Sequence, residues 1–132
     1  MMKSIVSLLV VATLLSTVTL KAQEKFNWKE MDEFHTVLSA TFHPSQGGDL
    51  APLKSRSSEL ADKAIAWQKS KVPGGLNKKE IKSSLKKLTS ASKELHRLVK
   101  NNTSDEMLKQ KLSSLHDIFH AIKDKYDKKG DM

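Results

Sequence analysis

Four of the five histidines in this 132-residue chain, His35, His43, His116 and His120, fall toward the two ends of its polar part. His116 and His120 stand four positions apart, which on a helix puts two rings on one side about one turn from each other. A neutral imidazole binds zinc or copper readily, and a thioether such as that of Met31 would tilt the choice toward copper, whereas Asp32 or Asp117 would supply a harder donor. His35 would make a third imidazole if its segment packed against that of His116 and His120. Against this stands an ordinary structural use for each ring. A single histidine in an apolar stripe, as His35 is, most often has one nitrogen satisfied in a core. His43, just before Pro44, is placed to reach free carbonyls at a helix end. His96 is expected on a solvent-facing surface.

The elements that would position these rings follow from apolar spacing. Trp28, Met31, His35, Leu38 and Phe42 step by three and four residues, the pattern of one helical face. Asn27 with Glu30 has the spacing of a capping box, and Pro44 disfavours helical geometry at His43, so a first helix is expected from Trp28 to about Thr41. Asp49 and Pro52 open a second, carrying Leu53, Ser57, Leu60, Ala64 and Trp67 inward to about Ser70. Asn77 with Glu80 opens a third, with Ile81, Leu85, Leu88, Ser92 and Leu95 inward to about Lys100. Thr103 with Glu106 opens a fourth, in which Leu108, Leu112, Leu115, Phe119, Ile122 and Tyr126 alternate by four and three up to Lys129. No run alternates with period two, so the domain is expected to be all-α, an antiparallel up-down-up-down four-helix bundle. First and last helices are then antiparallel neighbours. Pairing Trp28 with Tyr126 sets His35 opposite Phe119, between His116 and His120, and Met31 opposite Ile122.

With those residues placed, the chain resembles the exported four-helix bundles of the cytochrome b562 and cytochrome c′ group. The resemblance rests on Met31, in Glu-Met-Asp-Glu-Phe-His, and His120, in Asp-Ile-Phe-His. In the b562 branch a methionine early in the first helix and a histidine late in the fourth hold a b-type haem without covalent links. The resemblance therefore implies Met31 and His120 as haem ligands and one-electron transfer as the activity. The chain has no cysteine, which excludes the Cys-x-x-Cys-His haem attachment of the c′ branch, thiolate metal sites and a disulfide framework.

Composition narrows the setting. Met1, Met2 and Lys3, an apolar run from Ile5 to Leu20 and small Ala22 read as a secretory signal over 1–22, so an exported, periplasmic or secreted domain over 23–132 is expected. Without the leader the chain keeps 21 basic and 15 acidic residues, a net charge of +6. Such a charge attracts an anionic membrane surface or an acidic protein. Nucleic acid is not expected as a partner, because lysine outnumbers arginine 21 to 2 and base and phosphate recognition favours the guanidinium fork. There is no glycine-rich phosphate loop and no nucleophile motif, so the chain is not read as an enzyme. The leading expectation is a copper or zinc ion held by His35, His116, His120 and Met31 between the first and last helices. The alternatives are the haem carrier and a cofactor-free basic interaction module.

Overall fold

The computed structural model describes residues 27–129, and the expected leader over 1–22 lies outside them. Four helices account for most of the described chain: α1 (Lys29–Gln46), α2 (Ala51–Lys69), α3 (Lys78–Lys100) and α4 (Asp105–Lys129). Each packs on its neighbours in sequence and α1 closes on α4, whereas no Cα atoms of the diagonal pairs approach within 8 Å. This is the all-α, antiparallel up-down-up-down bundle that the apolar spacing and short connections imply. None of these helices is long and apolar enough to cross a membrane.

The starts of α3 and α4 are capped by side chains, whereas at α2 the cap position is taken by Leu50, and Asp49, one residue earlier, makes a turn bond instead. Asn77 Oδ1 accepts from the Glu80 N–H at 3.1 Å, as its spacing foretold, and Asp49 Oδ1 accepts from the Ala51 N–H at 3.0 Å. At α4 the cap is Ser104, one residue beyond the expected Thr103, with its Oγ 3.3 Å from the Met107 N–H. The expected Asn27 box is absent. Trp28 occupies the cap position of α1 without a side-chain cap bond, and its indole is tied instead to the end of α2, with Nε1 donating to Ser70 Oγ at 3.0 Å. Burial of that large ring outweighs a cap, which is worth about 1 kcal/mol.

The end of α1 corrects the sequence reading. The helix does not stop at His43 but runs through Pro44 to Gln46. Proline removes one backbone donor and crowds the preceding turn. Near a helix terminus, however, the carbonyls can be satisfied from elsewhere. Thr41 Oγ1 donates back to the Leu38 carbonyl at 2.9 Å. The Gly48 N–H then reaches Ser45 O at 3.0 Å and the Asp49 N–H reaches Pro44 O at 3.0 Å, with Gly48 at φ +90°. Those two bonds make a Schellman motif, for which glycine's freedom at positive φ is required. The end of α3 repeats the device with Asn102 at φ 55°, its N–H on Val99 O at 3.2 Å and the Thr103 N–H on Leu98 O at 3.1 Å.

Rings fill the core between α1, α2 and α4. Phe34, Trp67 and Phe119 are fully buried, with centroids 5.5 Å apart for Phe34 and Trp67 and 5.9 Å for Phe34 and Phe119. Burying a side chain of this kind contributes about 1.5–3 kcal/mol. Between α2 and α3 the contact residues are smaller, including Ser57, Ala64, Thr89 and Ser92, all buried. Thr89 Oγ1 there donates to Ala64 O at 3.3 Å.

Candidate functional site

The seam between α1 and α4 is a ladder of aromatic contacts. At one end Trp28 and Tyr126 have ring centroids 5.8 Å apart. Further along, the His35 imidazole lies on the Phe119 ring at 4.6 Å with 26° between planes. Two turns on along α1, Phe42 stacks on His116 at 3.8 Å and 8°. The antiparallel register deduced from Trp28 and Tyr126 holds for His35 and Phe119, whereas Phe42 meets His116 and not Leu112, one turn off that register. The extra turn of α1 beyond Thr41 keeps Phe42 and His43 helical. His43 is exposed at the edge of Phe42, 5.9 Å between centroids.

His116 and His120 meet directly. Their Nε2 atoms are 3.1 Å apart and their rings 4.4 Å apart at 67°. Only one proton fits between two such nitrogens, so one ring donates through Nε2–H while the other accepts. Phe42 fixes the face of His116. His120 is exposed and touches the Phe119 ring at its other side, 5.4 Å between centroids.

Electrostatics favour the neutral form of His35 and His116. His35 titrates below the ordinary imidazole value, chiefly because it is partly buried and next because of the Lys123 and His120 charges, with Asp32 opposing. His116 is shifted the same way, first by burial and then by His120, with Asp117 opposing and His43 and His35 adding smaller repulsions. His35 and His116 therefore take up a proton less readily when a neighbouring histidine is charged. An unprotonated imidazole is the form that ligates a metal.

The expected residues divide into those that converge and those that do not. His116 and His120 form a pair. His35 is close enough to feel the charge of His120, but its ring is committed to the face of Phe119. Among the described residues no group of three or more histidine, aspartate or glutamate side chains is arranged to hold a metal ion. Met31 is 3% exposed and belongs to the same hydrophobic core as Phe34, Trp67 and Phe119, while His120 faces solvent. His96 differs from expectation: it is half-buried, with Nδ1 2.8 Å from Ser57 Oγ, and links α3 to α2. The aromatic platforms were visible in sequence as apolar positions, but their role under the imidazoles was not, because spacing gives a helix face and not a ring orientation.

No protein-family model, no curated protein and no solved structure matches the chain.

Proposed function

We propose that this is a small extracytoplasmic metal-binding protein, anchoring a copper or zinc ion on His116 and His120 at the α1–α4 seam. The observation that carries the reading is the 3.1 Å separation of the two Nε2 atoms. A tetrahedral ion with metal–nitrogen bonds of about 2.0–2.1 Å needs its two nitrogens roughly 3.3–3.4 Å apart, and a right-angled pair at that bond length needs about 2.9 Å. The histidine pair lies between these values, so either geometry is reached by small ring rotations. A metal would take the place of the proton the rings now share.

His35 is the third imidazole, brought in by turning off Phe119, and solvent or a donor from a partner would complete the coordination. Met31, held in the core, is not in this set. A site half open to solvent leaves the ion exchangeable, which suits binding, buffering or delivery. The extracytoplasmic setting rests on the leader-like residues 1–22.

Titration calorimetry and electron paramagnetic resonance with Cu(II) test the reading. The wild type should bind one equivalent with nitrogen hyperfine structure, and His120→Ala should abolish binding. Equal binding by wild type and His120→Ala would remove the pair from the site. Lowering the pH from about 7.5 to about 5.5 should release the ion as the imidazoles protonate.

A further inference from the structure

The positive charge of the bundle is concentrated on one helix. α3 carries eight basic side chains against two acidic, a net charge of +6, while the remaining described residues carry twelve against eleven. Within α3 the cations are also aligned. At 100° per residue, Lys79, Lys82, Lys86, Lys93, Arg97 and Lys100 fall within a sector of about 60°, and at 1.5 Å per residue they run for about 31 Å. All six are exposed. Arg97 is bridged by Glu94, but the five lysines have no ion pair or side-chain hydrogen bond among the described residues. On the other helices unpaired lysines such as Lys69, Lys109 and Lys111 stand apart from any such row among the described residues, and several more are neutralised: Lys54 meets Asp105, Lys63 meets Glu33, Lys123 meets Asp127 and Lys125 meets Glu80. A row of like charges held in line without partners costs self-repulsion that an anionic ligand would relieve.

The shape and chemistry of the row select the ligand. It is one helix wide and flanked on the α4 side by Glu80 and Glu94, so a flat anionic membrane pressed against it would also meet those carboxylates. An exposed apolar anchor for a lipid or protein surface is missing from the row; the large exposed hydrophobic side chain among the described residues is Met107, 41% exposed, at the start of α4. Protein interfaces need an apolar centre. Single-stranded nucleic acid is bound on exposed aromatic platforms, and the row offers none. What it does offer, beside the cations, is the exposed hydroxyls of Ser83 and Ser90, donors and acceptors suited to sugar hydroxyls.

We infer that the Lys79–Lys100 face of α3 binds a linear acidic polysaccharide, laid along the helix with its carboxylate or sulfate groups on the lysine row. This does not depend on the metal reading, because the row lies on a different helix from His35, His116 and His120. The test is calorimetric titration of the full bundle with a sulfated linear polysaccharide at several salt concentrations. The triple variant Lys82→Gln, Lys86→Gln, Lys93→Gln should bind about tenfold or more weakly, with the slope of log K against log salt reduced by about three. The charge-matched variant Lys69→Gln, Lys109→Gln, Lys111→Gln, altered at exposed lysines off the row, should keep wild-type affinity within about threefold and an unchanged slope. Equal losses in the two variants would mean that net charge alone is sensed and would overturn the inference. So would tighter binding to anionic phospholipid vesicles or to single-stranded DNA than to the polysaccharide at the same salt, or no polysaccharide binding at all.

Discussion

Phe42 and His116 lie almost face to face, with centroids 3.8 Å apart and planes 8° from parallel. The contact joins the last turns of α1 to the middle of α4, and it fixes the plane of the imidazole beside His120. The phenyl covers a face of the ring and leaves its edge free, and Nε2 on that edge meets the neighbouring histidine.

Phe42→Leu keeps apolar volume at this position but removes the flat platform. An aromatic pair of this kind contributes about 0.5–1.5 kcal/mol beyond its buried area, so metal affinity should fall roughly two- to tenfold, with melting only slightly earlier. Calorimetry of the variant at neutral pH checks this. Undiminished affinity would show that the stack does not orient His116.

Stability should depend on pH through the same rings. Folded His35 and His116 hold protons less tightly than ordinary imidazoles, mainly because they are partly buried. Below about pH 6.5 the unfolded chain takes up protons that the folded chain resists. Stability is therefore complete above that pH, declines as pH falls toward the lowered folded values, and levels off beneath them. Thermal melts from about pH 7.5 to about pH 5.5 should show the decline, and His116→Gln should make it shallower. A decline of identical steepness in the variant would place the titrating groups elsewhere.

His96→Ala separates a structural histidine from the cluster. It removes the 2.8 Å contact with Ser57 between α2 and α3, a loss of about 1 kcal/mol for one hydrogen bond. Chemical denaturation should register that cost, while metal binding stays at the wild-type level. A weakened metal site in this variant would contradict the assignment of binding to the opposite seam.

Phe34→Ala probes the core that carries the site. Phe34 is fully exchanged from water and touches both Trp67 and Phe119, so truncation should cost about 3–5 kcal/mol. That is a large share of the roughly 5–15 kcal/mol typical of a domain. A denaturation midpoint close to wild type would mean the cavity had been filled by collapse.

Phe34 also marks where sequence reading reached its limit. The inward faces of α3 and α4 were legible because apolar residues, mostly leucine, repeat every three or four positions against a background of lysine and serine, and that of α2 because Leu53, Leu60, Ala64 and Trp67 keep the same spacing. On α1 the apolar residues spread around more of the helix. A stripe through Trp28, Met31, His35, Leu38 and Phe42 is plausible by spacing, yet Phe34, Val37 and Thr41 are the ones buried beside Met31 and Leu38, and His35 and Phe42 sit at the margin. Local rules misplaced the end of α1 because the helix is ended by the Gly48 and Asp49 amides closing on Ser45 and Pro44, a joint arrangement beyond the reach of a preference for single residues. The histidine pair was predictable from its spacing of four, but the rotation that turns His35 onto Phe119 depends on packing across two helices.

The indoles of Trp28 and Trp67 sit edge to face at 5.5 Å, and Trp67 in turn meets the Phe119 ring at 5.8 Å, the ring on which His35 lies. The fold thus carries an optical reporter wired to the imidazole cluster. Unfolding should red-shift the emission of the enclosed Trp67 and erase a near-ultraviolet dichroic band from the paired indoles. A paramagnetic ion seated on the histidines should quench that emission without any label being attached.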